Sequence, residues 1–486
     1  MEEEIKDKSE VYDKIFDEMN FYVDCNNTTQ VYAEYKKYTT DKKGNRCYHY
    51  EFQSINDARF AAQVREFFRE LADDDSALSF KTKLLKYHDR AIVDNRAISI
   101  NRRLTGNKGG TAYYLANDEN QIVCIDKNGY RIVKRCKNYK FIKTSNTLPQ
   151  VKPEKSGGKS LLNLLSPFLN LSEPMKILFV VNLVQQFVCT SSHFVGVISS
   201  EKGSGKTTFT KMWHKIIDPT RAEVSIMPTN SEELKNHLAN NKVVCFDNSQ
   251  LLSQQFSDIL CGAVTGTAYT KRELYTNSNE LIYELHNSVI INGIDVVPAQ
   301  SDLLDRTILF KLNKIADEER KEVRILNKEF NKALPYILGA IFDTLSKYFA
   351  NKDSIQVIGN NRMAEAYNDC YKIAYVLGVA DEFVEAFEQN QSELKEDCKK
   401  RNAMVSAFIE YFKDNNRGVI ADYANGVYET IENYASGNDF PKSASAFTAR
   451  LRKEEEALRD AGIKFCKGTD RAGTYLLINK IGADSI

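Results

Sequence analysis

The run FVGVISSEKGSGKTTFTKMWHKII, residues 194–217, most constrains what this chain can fold into: an apolar strand meets a glycine-rich turn and then a helix. A strand handing over directly to a helix N-terminus fixes an α/β arrangement locally and aims the positive end of the helix at the turn. Gly203 and Gly205 let backbone N–H groups turn towards an anion, with Ser204 between them. Lys206 is positioned to reach β and γ oxygens, Thr207 to ligate Mg²⁺, and Thr208 to extend the cradle. Gly203–Thr208 therefore reads as a phosphate-binding loop for ATP with Mg²⁺. Ser200 stands where the usual G-x-x-x-x-G-K-[ST] pattern asks for its first glycine.

Further along, KVVCFDN is an apolar strand ending in Asp247 and Asn248. A carboxylate there can hold Mg²⁺ opposite Thr207. Asn248 cannot act as a base, so that task falls to Asp247 or Glu201, and the sequence does not choose between them. The strand SVIING ends in Asn292 and is expected beside the Asp247 strand, presenting its amide to the γ-phosphate. Arg306, just ahead of the apolar run TILFKL, could reach a neighbouring subunit's nucleotide or pair with Asp302 or Asp305.

With 486 residues the chain needs several cores, about one per 100–200 residues. An α+β N-terminal domain is expected over 1–145, with a hairpin turning at Asn128-Gly129 and a helix behind an Asn56 cap. A linker follows over 146–160, where prolines and a Gly-Gly pair interrupt both periodicities. The central α/β ATPase core spans 161–315, a helical connector or lid 316–400, and a winged-helix-like domain 401–486. In that tail, Arg450, Arg452 and Lys453 on one long helix and Lys464, Lys467 and Arg471 around a hairpin suggest contact with duplex DNA. The acids of EEEALRD favour protein contact equally.

Lys+Arg and Asp+Glu are each 66, so a uniformly basic coat for nucleic acid is excluded and any polyanion site must be regional. One candidate is YRIVKRCKNYKFIK, where Lys134, Arg135 and Lys137 lie among aromatics with no acid in the run; solubilising charge on an edge strand explains it as well. Ten dispersed cysteines without a C-x-x-C pair read as reduced thiols. Six scattered histidines lack metal spacing, and His214 is expected to pack on the phosphate-loop helix. No apolar run suits a signal peptide or a membrane span, so the expected location is cytoplasmic.

The order GSGKTT, VVCFDN, VIING and DLLDR resembles superfamily 3 helicases of the AAA+ class, and most closely phage and mobile-element helicase or primase-helicase ATPases. That resemblance implies a ring, usually a hexamer, with ATP between subunits. Lys206 and Thr207 would bind phosphate and Mg²⁺, Asp247 would be the Walker B acid, Asn292 sensor 1 and Arg306 the trans-acting arginine finger. It also implies a hairpin projecting into the central channel within TAYTKRELYTNSNELIYEL, where Lys271, Arg272 and Tyr275 would contact single-stranded DNA. The expected activity is ATP-dependent unwinding during replication of a phage or integrated element, in company with other replication proteins and, if phage-encoded, in the host cytoplasm. The alternatives are a nucleotide-switched initiator or loader, and an ATPase acting on a protein target in defence.

Overall fold

The computed structural model describes residues 8–40, 44–72, 80–201, 203–249, 252–272, 280–293, 301–315, 318, 322–415, 418–435, 440–471 and 473–481. It is a multidomain α/β protein built around a five-stranded sheet whose strands all run parallel. The spatial order is Ser225–Ile226, Val243–Asp247, Ser288–Gly293, Val195–Ser199, Thr307–Lys311. The three central strands are buried on both faces, which is why they read as unbroken apolar runs rather than alternating ones. Gly196 on the strand Val195–Ser199 has a packing reason. A Cβ there would lie 2.2 Å from the ring of Trp213, which is fully buried on the helix Lys206–Ile217.

The helices Glu173–Gln185, Val323–Asn351, Ala364–Leu377 and Ala380–Arg401 share one apolar cluster with this sheet, Phe179, Phe310, Phe330 and Phe387 among its members. The expected connector or lid is thus a structural layer of the core. Its last helix also covers a sheet edge. Asn390 accepts from Leu309 N–H at 3.1 Å and donates to Leu309 C=O at 2.6 Å, while Gln391 donates to Thr307 C=O at 3.0 Å. Among the described residues no single helix is long and apolar enough to cross a membrane. The bent pair Leu161–Phe168 and Glu173–Gln185 passes that test only when taken together.

The N-terminal unit is smaller than expected. Helices Lys8–Asp17, Ala58–Ala72 and Lys81–Val93 pack through Phe16, Phe60, Val64 and Tyr87 on one face of a four-stranded sheet. Its strand order is Arg46–Ser54, Asn27–Thr40, Asn20–Asp24, Ala97–Ile98. The cap of the second helix is Asp57, whose carboxylate accepts from Arg59 N–H at 2.8 Å, rather than Asn56. A second antiparallel sheet, Leu104–Asn107, Gly110–Tyr114, Ile122–Asp126 and Gly129–Val133, sends Leu104, Tyr113, Val123 and Ile125 into the core cluster. Tyr113 meets Phe187 and Phe342 there, so the boundary expected at 145 falls inside one packed body. The hairpin in this sheet is present but turns at Lys127-Asn128, and Gly129 supplies the positive φ of +126° just after it.

Arg103 fastens this sheet to the core. Its guanidinium, 1% exposed, donates to Asp218 at 2.7 Å, to Tyr114 C=O and Leu148 C=O at 2.8 Å, and to Pro219 C=O at 3.0 Å. Nor is the 146–160 segment a free linker. The Gln150 side chain is buried and donates to Lys215 C=O and Tyr113 Oη, and Glu154 N–H donates to Pro335 C=O at 2.9 Å. This extended strap lies against Gly339 of the long helix, where a Cβ would stand 1.8 Å from Glu154 O. Prolines and glycines interrupt periodicity in a packed strap as they do in a free linker, so the sequence signal was the same.

The C-terminal unit runs helix Ala403–Asp414, strand Val419–Tyr423, helix Ala424–Glu432, helix Ala444–Lys453, a short helix Glu455–Asp460, then strands Ile463–Asp470 and Gly473–Lys480. The three strands form an antiparallel sheet with the last strand in the middle. The expected single long helix breaks at Glu454, whose carboxylate binds both Arg450 and Asn402.

Candidate functional site

The glycine-rich loop leaves the end of the strand Val195–Ser199 and enters the helix at Lys206. Gly203 and Gly205 have φ of +90° and +84°, a region that costs a side chain about 1–2 kcal/mol and costs glycine nothing. Ser200 does not enter that region, so glycine is not required at its position. Its hydroxyl hydrogen-bonds instead to that of Ser204, which also donates to Glu201 C=O at 2.8 Å. Lys206 Nζ folds back to donate to Ser200 C=O at 2.5 Å and Glu201 C=O at 2.9 Å, holding the loop curled. Asn170 braces the loop from outside, donating to Ser204 C=O at 3.4 Å and Asn313 C=O at 2.6 Å.

Thr207 Oγ1 donates to Asp247 Oδ2 at 3.2 Å, so the hydroxyl and the carboxylate sit together at the strand ends. The other carboxylate oxygen accepts from Asn248 N–H at 2.9 Å. Asn248 has φ of +50°, a left-handed conformation that asparagine tolerates better than most residues, which gives its presence a backbone reason. Its N–H also donates to Asn292 Oδ1 at 3.3 Å. Asn292 lies on the strand beside that of Asp247 and is fully buried. Its amide nitrogen donates to Thr210 Oγ1 at 2.9 Å. The amide is therefore turned to Thr210 and Asn248 and not outward, contrary to the sequence expectation. Asn292 ties the helix Lys206–Ile217 to the turn after Asp247.

Arg306 is held within its own chain, against Asp302 Oδ1 at 2.5 Å and Asp302 C=O at 2.6 Å. Arg362 binds the same Asp302 at 2.6 Å and Asp305 at 2.9 Å. Glu201 is largely exposed, with Lys314 at 3.8 Å. A cavity of about 250 Å³ opens beside Thr207 and Thr208, walled by Lys211, Met212, Phe330 and Asn331. Sequence reading missed Asn170, Thr210 and this wall, since no local pattern links the helix Lys206–Ile217 to a helix more than a hundred residues away. His214 is buried on the helix Lys206–Ile217, and burial lowers its pKa. Among the described residues no group of three His, Cys, Asp or Glu is arranged to hold a metal.

Strands Thr267–Arg272 and Glu280–Leu285 pair as an antiparallel hairpin next to the sheet, with Lys271 and Arg272 near its tip. Tyr275 lies outside the described residues. The basic run around 131–143 does find acids, one near in sequence and one distant. Arg135 and Lys140 both bind the buried Glu34 at 2.5 Å, and Arg131 binds Asp126 at 2.7 Å. This takes Arg135 away from the DNA-contact role expected of it, whereas Lys134 and Lys137 are exposed.

Residues 160–397 match the actinomycete integrative conjugative element replication protein. The matched stretch coincides with the central sheet and its helical layer and supports a replication-related, mobile-element reading of the chain. No curated protein matches. Among solved structures, two apo forms of the NrS-1 C terminal region are similar. One is 14% identical with a TM-score of 0.42 and the other 13% identical with a TM-score of 0.40; each match covers 98% of this chain and 100% of the other. Likeness that distant carries neither fold nor function.

Proposed function

We propose that this chain is an ATP-dependent DNA helicase or translocase acting in replication of a mobile element, with a superfamily 3-type AAA+ core working as a ring. The observation that carries this reading is the placement of Thr207 and Asp247 within 3.2 Å of each other on a parallel sheet. In that sheet the Asn292 strand lies between the phosphate-loop strand and the Asp247 strand. Two oxygen ligands facing each other beside a left-handed glycine loop suit Mg²⁺ held against nucleotide phosphates. When bound, the metal and the nucleotide supply charge neutralisation and the scissile phosphoanhydride.

In this reading Lys206 exchanges its two carbonyl partners for phosphate oxygens. Met212 and Phe330 offer apolar walls to the nucleoside. Asn292 is a positioning residue that couples the helix bearing Thr207 to the turn bearing Asp247. Arg306 leaves Asp302 to serve a neighbouring subunit, and Asp302 keeps Arg362 as its partner. The hairpin bearing Lys271 and Arg272 would line the channel. The helix, strand, helix, helix, hairpin order of the C-terminal unit suits a winged helix that contacts duplex DNA.

Lys206→Ala is expected to abolish ATP binding in equilibrium titration. Arg306→Ala is expected to spare binding and to cut turnover by roughly 10³-fold or more. Equal loss of binding in both variants would contradict a trans role for Arg306. One observation favours a second reading, a nucleotide-switched initiator or loader. The residue after Asp247 is an asparagine fixed by backbone geometry, which leaves the site without a second adjacent carboxylate and suits slow, timing hydrolysis.

A further inference from the structure

The N-terminal sheet has a second face that its helices do not cover. Side chains two apart share a strand face, and the register pairs Lys36 with Tyr50, Tyr38 with Tyr48 and Thr40 with Arg46. These six residues therefore lie on one face, opposite the one that sends Val31, Ala33 and Tyr35 into the core beneath the helices. At the distal end of the sheet, Tyr38 and Tyr48 are 44% and 40% exposed, with ring centroids 6.2 Å apart. Tyr50 meets Tyr48 edge-on at 6.0 Å.

Cations cluster on these rings. Arg46 sits 4.4 Å over Tyr38, and Lys36 and Lys134 approach Tyr48 at 5.3 and 5.0 Å. Glu34, on this face, is buried and held by Arg135 and Lys140, so it does not offset the cations around Tyr38 and Tyr48.

We propose that this patch, Lys36, Tyr38, Arg46, Tyr48 and Lys134, is a docking surface for single-stranded DNA, separate from the nucleotide site and its channel hairpin. Exposed aromatic faces take unstacked bases, and the interleaved cations take the phosphates. A duplex keeps its base faces stacked inside and would offer the two tyrosines no base to stack on. The inference goes beyond the motor reading and does not depend on it, because it invokes neither ATP nor the core sheet.

The test uses the full chain without nucleotide and a fluorescent oligothymidylate carrying 5-iodouracil. Binding of the Tyr38→Ala/Tyr48→Ala variant is expected to weaken about 10-fold or more, while Tyr38→Phe/Tyr48→Phe binds as the wild type, since stacking needs the ring and not the hydroxyl. Photocrosslinks are expected on the peptides bearing Tyr38 and Tyr48. Lys36→Ala/Arg46→Ala is expected to flatten the salt dependence. Both tyrosines are exposed, and an unchanged thermal transition confirms that the variants are folded.

Wild-type affinity in the alanine variant, with crosslinks mapping elsewhere, would overturn the proposal. So would tighter binding to oligouridylate, or self-association through the edge strand Arg46–Ser54 that the alanine variant abolishes while DNA affinity stays the same. If Lys206→Ala lacks ATP binding yet keeps the crosslinks, the surface stands regardless of the motor. If Lys271→Ala/Arg272→Ala alone removes DNA binding, the surface falls and the motor reading stands.

Discussion

Gly339→Ala provides a test of sign. In an exposed helix interior this substitution stabilises by about 1 kcal/mol, because glycine is the poorer helix former. Here the new methyl would stand 1.8 Å from Glu154 O and 2.7 Å from Glu154 C, both backbone atoms that cannot rotate away. Relief requires the 146–160 strap to lift off the long helix by roughly 1.5 Å to reach ordinary C···O separation. That movement gives up the Glu154 N–H to Pro335 hydrogen bond, about 1 kcal/mol, and adds overpacking strain of about 1–3 kcal/mol. After subtracting the helix-propensity gain, the net effect is destabilisation by about 1–3 kcal/mol. Trp213, the chain's one tryptophan and fully buried in the core, reports the transition by fluorescence during urea unfolding. A lower midpoint is expected, with faster proteolysis within 150–158. An equal or higher midpoint would refute the packed strap.

Asn390→Ala strips both partners from Leu309 at the sheet edge and is expected to cost about 2–4 kcal/mol by the same fluorescence readout; a loss under half of that would mean that water replaces the amide. Arg103→Ala leaves Asp218 buried beside orphaned carbonyls and is expected to cost about 3–5 kcal/mol, loosening the Leu104–Val133 sheet in hydrogen exchange before the central strands. His286 is held neutral, its pKa lowered to about 4 by burial and by the charge of Lys242, and burial also lowers His193 and His214. The unfolded chain takes up these protons near 6.5 while the fold resists. Stability should thus be full above about pH 6.5 and fall as pH drops towards 4, so an unfolding midpoint unchanged between pH 7.5 and 5 would contradict it.

Local signals were legible in the sequence and distant ones were not. The strand, glycine loop and helix of 194–217, the strand ending in Asp247 and the hairpin over 463–480 each carry their pattern within a few residues, and the structure has elements at those places. Glu34 was not legible as the partner of Arg135 and Lys140, because the charges meet only when two sheets pack. Nor was Tyr113 legible as part of the central core, since the helix carrying Phe342 lies far along the chain. Asn248 looked like a chemical choice and has a conformational reason, its left-handed φ, which residue type alone does not reveal.

The most direct test of the central claim is ATP-dependent unwinding of a forked DNA by the assembled wild type, alongside Lys206→Ala and Lys271→Ala/Arg272→Ala at matched oligomeric state. A ring motor predicts unwinding by the wild type alone, with ATP binding retained in the hairpin variant. A well-assembled, ATP-binding wild type that leaves the fork intact would contradict it, and DNA stimulation of its hydrolysis would then separate a DNA-bound switch from an ATPase with a protein target.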